Sequence, residues 1–308
     1  MTLNLLYAGA VNPAGTWSVR LPLVLDVLRE SGAEIIALQE ATIPQLRDLE
    51  HALPEFTFVT GPESGETRLP RVLHRATRLL HRARARRAGH DHSTAHVHST
   101  AHVHSTAHVH TPRGEHCALL FRTDAFELLE SSAFWISHAP NSAESVLPGS
   151  WLPRVVNWAR LLKRTTGQVV TIFNAHLDFL PWAPLRSARI LRRMLDTHWD
   201  GALQVVLGDF NAPPRSAAYK HLGKELAQTP YPPLQDAWEE ATERLGPEGT
   251  YHGGTGRIRW MGRLDRILYR PSTVVERVTT ITHQQGTSFP SDHYPVLAEF
   301  MELSNEVL

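Results

Sequence analysis

The sequence predicts an α/β fold built on two β-sheets packed face to face, with helices on the outside. The first half opens as β-α-β-α, which points to layered architecture. The second half carries many β-prone runs and few helical ones, favouring sheet on sheet over a doubly wound parallel sheet. A chain of 308 residues, 42% of them hydrophobic, is long enough to bury a large core.

Leu3 to Ala8 is a short apolar run and reads as a buried strand. Leu21, Val24, Leu25 and Leu28 then recur at helical spacing, and Gly32 stops that helix. Glu34 to Leu38 is strand again and ends in the polar pair Gln39-Glu40. Thr42 caps a helix that runs through Leu46, Leu49 and Leu53. After a long interruption, Cys117–Arg122, Phe126–Trp135, Arg154–Leu162 and Gln168–Leu177 read as strands. Leu185, Ala188, Leu191 and Leu195 mark a helix, Gln204–Leu207 a buried strand, and Arg215–Ala227 a further helix. Leu264–Tyr269 and Pro295–Phe300 are the last two strands.

The interruption, at about 62–113, reads as an insertion into a single domain spanning 1–308, because a connection this long is rarely part of a compact core. Eight arginines and no acid lie between Arg68 and Ala88, so the neutral net charge hides an acidic remainder. The stretch can be a solvated helix, a phosphate-facing surface for nucleic acid, or an amphipathic helix on an anionic membrane. Ser93 to His110 is three copies of Ser-Thr-Ala-His-Val-His. Its paired histidines could hold Zn2+ or Ni2+, against the alternative of a low-complexity repeat without a role. A lone cysteine, Cys117, excludes an internal disulfide framework and a cysteine-rich zinc module. No apolar run approaches the ~18–20 residues of a membrane span. Met1 to Thr16 lacks the basic-then-apolar order of a signal peptide, so a cytoplasmic location is expected.

The acids and histidines sit where apolar strands begin or end: Glu40, His176-Leu177-Asp178, Gly208-Asp209-Phe210-Asn211, Asp265, and Ser291-Asp292-His293. A carboxylate abutting a buried strand is costly unless it is paired or binds metal. Five such junctions can meet at one end of a sheet. Oxygen ligands with histidine and no thiolate suit Mg2+ or Mn2+, ions that usually serve phosphate chemistry.

In order and spacing, Ile35-Ile36-Ala37-Leu38-Gln39-Glu40, His176-Leu177-Asp178, Gly208-Asp209-Phe210-Asn211, Arg263-Leu264-Asp265 and Ser291-Asp292-His293 resemble the endonuclease/exonuclease/phosphatase (DNase I-like) family. The resemblance covers about 3–60 and 114–302. It implies a four-layered α/β sandwich, two packed mixed sheets flanked by helices, with the site at one edge of the sheets. By the same resemblance Glu40 and Asp292 hold the metal, and Asp209 activates or orients the attacking water with Asn211 beside it. His293, oriented by Asp265, polarises the phosphate or acts as the base, and His176 contacts a phosphoryl oxygen or protonates the leaving group. Arg154, Asp178 and His252 are expected to bind substrate; a salt bridge, a strand-end cap and a structural turn are the respective alternatives. The asparagine that such proteins carry at the end of the first strand falls on Gly9 in this reading, with Asn12 the nearest replacement.

The expected function is a divalent-metal-dependent phosphoesterase, nuclease-like and acting on phosphodiesters through a water activated by metal, Asp and His. Nucleic acid or another phosphate ester is its expected substrate, and no obligate protein partner is implied. A phospholipid or small-molecule phosphodiesterase or phosphatase is the alternative. A metal-binding protein on a decayed catalytic frame is the reading from a different class.

Overall fold

The computed structural model describes residues 1–64, 114–150, 152–180, 183–223, 230–259, 262–271 and 273–301. The arginine-rich stretch and the histidine repeat lie outside the described residues. So do Trp151, Trp182 and the end of the helix expected to reach Ala227.

In chain order the elements are β1 (Thr2–Asn4), α1 (Trp17–Glu30), β2 (Ile35–Ala41), α2 (Ile43–Ala52), β3 (Phe56–Val59) and β4 (His116–Arg122). Next come β5 (Phe126–Trp135), β6 (Val155–Lys163), β7 (Val169–His176), α3 (Ala183–Thr197), β8 (Leu203–Asp209) and α4 (Ala217–Leu222). The last are β9 (Gln235–Asp236), α5 (Ala237–Glu240), β10 (Glu243–Leu245), β11 (Asp265–Arg270), β12 (Val275–Thr280) and β13 (Val296–Phe300).

The strands form two mixed sheets, ordered β10-β12-β13-β1-β2-β4-β3 and β5-β6-β7-β8-β11-β9. Both sheets combine parallel pairs, such as β1 with β2 and β7 with β8, with antiparallel ones. Three apolar layers follow from the period-two alternation of the strands. Ala37, Leu119 and Val296 of the first sheet meet Leu161, Ile172, Val205 and Ile267 of the second between the sheets. The opposite face of the first sheet, with Leu3, Ile36, Leu38 and Leu120, packs on Val24, Val27 and Leu28 of α1 and Leu46 and Leu49 of α2. On the outer face of the second sheet, Trp158, Phe173 and Val206 pack on Leu191 and Leu195 of α3 and Leu222 of α4. The result is the α/β/β/α sandwich that the resemblance implies.

Local chemistry sets the boundaries. Gly32, at φ 63°, supplies the left-handed residue that ends α1. Gln45 Oε1 accepts from the Thr42 backbone N–H at 3.0 Å and from its hydroxyl at 2.7 Å, which fixes the start of α2 immediately after β2. The first strand is shorter than the apolar run suggests. It ends at Asn4, because Leu6 adopts φ 55° and turns the chain out of the sheet. The edge strands β9 and β10 are two and three residues long, too short to show a period.

Towards the strand ends the layer between the sheets turns polar. Gln39 Nε2 donates to Asn174 Oδ1 at 2.7 Å, and Asn174 Nδ2 donates across to the carbonyls of Leu38 and Ala118. These bonds join the sheets just beneath the site, so β2 and β7 enter it at a fixed separation.

Candidate active site

Register brings three of the expected residues together. In the second sheet β7 runs parallel to β8 with His176 opposite Asp209, and β11 runs antiparallel to β8 with Asp265 opposite Asp209. Opposed residues point to the same face. Gly208 makes this approach possible. At φ 141° it brings the chain so close that a Cβ there would stand 1.9 Å from the Ala175 carbonyl oxygen. The first sheet contributes the facing residues Asn4, Glu40 and, on the segment leading into β13, Asp292 and His293.

Asp265 and His293 form a buried pair, with Nδ1 and Oδ2 2.7 Å apart. Nδ1–H therefore donates to the carboxylate, which leaves Nε2 turned to Asp209 Oδ2 at 3.9 Å. Asp209, Asp265 and His293 each offer a ligand atom, all within 4.8 Å of one another. Thr250 Oγ1 accepts from the backbone N–H groups of Leu264 and Asp265, anchoring the start of β11. Burial opposes charge on His293, yet the carboxylates of Asp265, Asp209 and Asp292 raise its pKa well above that of an ordinary histidine.

Asp209 is buried at the end of β8. Its Oδ1 accepts from the Asn211 backbone N–H at 2.9 Å and its Oδ2 from Asn4 Nδ2 at 3.1 Å. Burial, followed by repulsion from Asp265, lifts its pKa to about 6. His176 lies 3.6 Å away, Nε2 to Oδ2. Burial and the positive neighbours Arg154 and His293 hold His176 well below the usual histidine range, so its imidazole is neutral. Asn211 adopts φ 47° and donates from Nδ2 to the Leu177 carbonyl at 2.9 Å, which ties the ends of β7 and β8 together.

Glu40, the last residue but one of β2, adopts φ 57°, a conformation few non-glycine residues adopt. Burial and the nearby Asp292 carboxylate raise its pKa. A buried carboxylate whose ionisation is opposed by a second carboxylate facing it, with oxygen donors and no thiolate, fits a hard divalent cation. Asn4 completes this set. Its Nδ2 bridges Glu40 Oε1 at 3.0 Å and Asp209, while its Oδ1 accepts from the Leu6 N–H. The asparagine at the end of the first strand is thus Asn4 itself, and the assignment of that place to Gly9 is corrected. Asn12 supports a different carboxylate, since its Nδ2 donates to Asp292 Oδ2 at 3.0 Å.

Of the residues expected to bind substrate, Arg154 is buried beside His176, and its Nε has no hydrogen-bond partner among the described residues. Asp178 accepts from the Leu180 N–H at 3.1 Å and so closes the turn after β7. His252 is a correction. It is fully buried, stacked on Tyr294 with ring centroids 4.1 Å apart and in contact with Phe289. Its Nδ1 accepts from the Gly256 N–H, so the ring is part of the loop's own core and shows no face to a substrate. Trp158 likewise packs in the core, against Phe173 and His198.

Burial lowers the pKa of His252 to about 3. An unfolded chain titrates it near ~6.5. A depressed pKa gives stability that is complete above that unfolded value and is lost as pH falls towards 3. His252→Phe should therefore lose less stability than wild type between pH 7 and pH 4.5 in urea titrations, with activity at pH 7 within a few-fold. An equally steep loss in the variant would show that this ring is not the buried neutral group.

The profile of the Endonuclease/Exonuclease/phosphatase family matches residues 1–293. Among solved structures, a mannosyl-6-phosphatase from Bacteroides thetaiotaomicron superposes with a TM-score of 0.75 at 22% identity, covering 97% of this chain and 98% of that one. TDP2 from D. rerio, complexed with a single-strand DNA product, gives 0.63 at 15% identity over 97% of each chain. The human Nocturnin catalytic domain gives 0.62 at 17% identity, covering 97% of this chain and 92% of that one. No curated protein sequence matches the chain.

Proposed function

This chain belongs to the endonuclease/exonuclease/phosphatase family, and from that premise we propose that it is a divalent-metal-dependent phosphoesterase acting on phosphodiester bonds. The single observation that carries the reading is the pairing of opposite protonation preferences at one strand end. Asp209, with a pKa of about 6, lies between a neutral His176 and a charged His293.

Asp209 is the group able to take a proton near neutral pH, so it serves as the base for the attacking water. His293 is already protonated there; held by Asp265, it donates from Nε2 to a phosphoryl oxygen. Neutral His176 donates a hydrogen bond to the same phosphoryl group. Arg154, buried with an unsatisfied Nε, offers the positive charge that a non-bridging oxygen needs. Glu40 and Asp292 would hold the cation, with Asn4 orienting Glu40 and Asn12 orienting Asp292. When bound, Mg2+ or Mn2+ supplies Lewis-acid stabilisation of the developing charge. The buried carboxylates, each held by a specific hydrogen-bond donor, argue against a decayed frame.

The test is a panel of substrates, namely a bis(p-nitrophenyl) diester, the corresponding monoester and a single-stranded oligonucleotide. Each is assayed in Mg2+, in Mn2+ and in excess chelator. The diester or oligonucleotide should be hydrolysed only with metal, and Arg154→Met should reduce kcat/KM at least ~10-fold, the worth of one charge-assisted contact. Faster turnover of the monoester would assign a phosphatase. Equal turnover in chelator would overturn the metal-dependent reading.

A further inference from the structure

Arg20 is buried, 1% exposed, on the packed face of α1. Among the described residues it has no carboxylate partner at hydrogen-bond distance. Its donors go to four backbone carbonyls instead: Nε to Gly15 at 3.2 Å, Nη1 to Leu5 at 2.6 Å and to Pro290 at 2.9 Å, and Nη2 to Leu6 at 2.8 Å. The guanidinium also lies over the Trp17 ring, 5.4 Å from its centroid. The nearby Asp292 and Glu40 carboxylates favour its charge, but its hydrogen bonds all go to backbone carbonyls, an expensive device for mere stability, since apolar packing would fill the space at lower cost.

Beyond Gly15, which leads into α1, the carbonyls it gathers belong to two segments. Leu5 and Leu6 follow directly on Asn4, which holds Glu40. Pro290 immediately precedes Ser291-Asp292-His293. Other bonds close the same seam: Ser291 Oγ donates to the Asn4 carbonyl at 2.5 Å, and Asn12, from the loop that Arg20 spans, holds Asp292. Leu6 is in the left-handed conformation at φ 55°, and its carbonyl is also bound by Gln45 Nε2 at 3.0 Å. Gln45 in turn fixes the turn just after Glu40.

We propose that Arg20 is a positioning residue for the cation site, clipping the segment that carries Asn4 to the segment that carries Asp292 so that the two metal-facing carboxylates are held in register. The inference rests on the reading of Glu40 and Asp292 as the metal ligands. It concerns geometry, because a fork that reaches carbonyls in both segments cannot be replaced by a point charge.

Arg20→Lys keeps the charge and loses the fork; Arg20→Met loses both. Mn2+ binding is measured directly, by the electron paramagnetic resonance signal of free Mn2+, well below the melting temperature of each variant. Both variants should bind Mn2+ at least ~10-fold more weakly, the lower end of what the supports behind metal ligands contribute. Saturating Mn2+ should recover most of kcat while the KM for substrate stays unchanged. A purely structural role would lower Tm and leave the Mn2+ affinity intact, and that result in Arg20→Lys overturns the proposal. Tighter Mn2+ binding by Arg20→Met also overturns it, since that would mean that charge rather than position governs. If the Met variant does not fold, the Lys variant decides alone. Glu40→Gln is the control. If it binds Mn2+ as wild type does, the ligand reading itself fails, whatever Arg20 does.

Discussion

Glu40→Gln is expected to reduce metal-stimulated hydrolysis at least ~10²-fold while the protein stays folded. The substitution keeps the length of the side chain and its hydrogen bond to Asn4, and it removes one of the anionic groups proposed to hold the cation. Lewis-acid stabilisation is worth several kcal/mol, and each ~1.36 kcal/mol is tenfold in rate. The stability consequence runs the other way. Burial and Asp292 disfavour the ionised form of Glu40, so the neutral amide relieves repulsion when no cation is bound. In chelator the Tm of the variant should equal or exceed that of wild type. Wild type should gain stability on adding Mn2+, by about 2.7 kcal/mol at a hundredfold excess over Kd, and the variant should lose that gain. Undiminished activity, or an undiminished shift of Tm with Mn2+, would remove Glu40 from the cation site.

Much of this site is legible in the sequence because its carboxylates violate the burial pattern of their strands. Glu40 and Asp209 stand at the ends of apolar strands and Asp265 opens one, and an uncompensated charge there would be untenable. The fold is legible for a related reason. Continuous apolar runs such as β8, buried on both faces, and period-3.6 runs such as α3 record how each element is buried, and the capping box at Thr42 marks a boundary. The strands β9 and β10 leave no such record. They are too short to carry a period and exist only because a neighbour offers its edge.

What the sequence conceals has specific physical causes. Asn4 is hidden because the apolar run continues to Ala8, and nothing in the run announces that Leu6 will adopt a left-handed backbone. That turn is held by the Asn4 side chain from within the run and by Arg20 and Gln45, which are distant in sequence and sit in helices. Arg20 does leave a trace, as a charged residue on the buried stripe of α1 between Trp17 and Val24. Its partners, being backbone carbonyls, leave no mark in the sequence. His252 misleads in the opposite direction. A histidine flanked by a glycine on a loop ahead of Asp265 looks like a substrate contact, whereas here the loop folds inward and Tyr294 and Phe289 enclose the ring.

Asp209→Asn should lower kcat at least ~10²-fold with little change in substrate KM, since it removes the proposed proton acceptor and keeps the shape. The pH profile carries the sharper information. A carboxyl with a pKa of about 6 is protonated below that value and cannot accept a proton, so the wild-type rate should rise as pH increases through an acid limb. A bound cation favours the ionised form and moves the limb to or below about pH 6. The variant should lose this limb. His293 is the rival for the role among the residues gathered here, and its electrostatics oppose it. Three carboxylates hold its proton at neutral pH, and the 2.7 Å bond to Asp265 commits Nδ1. Asp265→Asn separates the two assignments. With His293 as the proton donor, loss of its carboxylate partner should lower the pKa of the imidazole and bring the alkaline limb of the profile down, while the acid limb set by Asp209 persists at lower pH, because the repulsion from Asp265 is lost as well. If Asp209→Asn stays within a few-fold of wild type and Asp265→Asn abolishes the acid limb, the base is His293 and the roles are reversed.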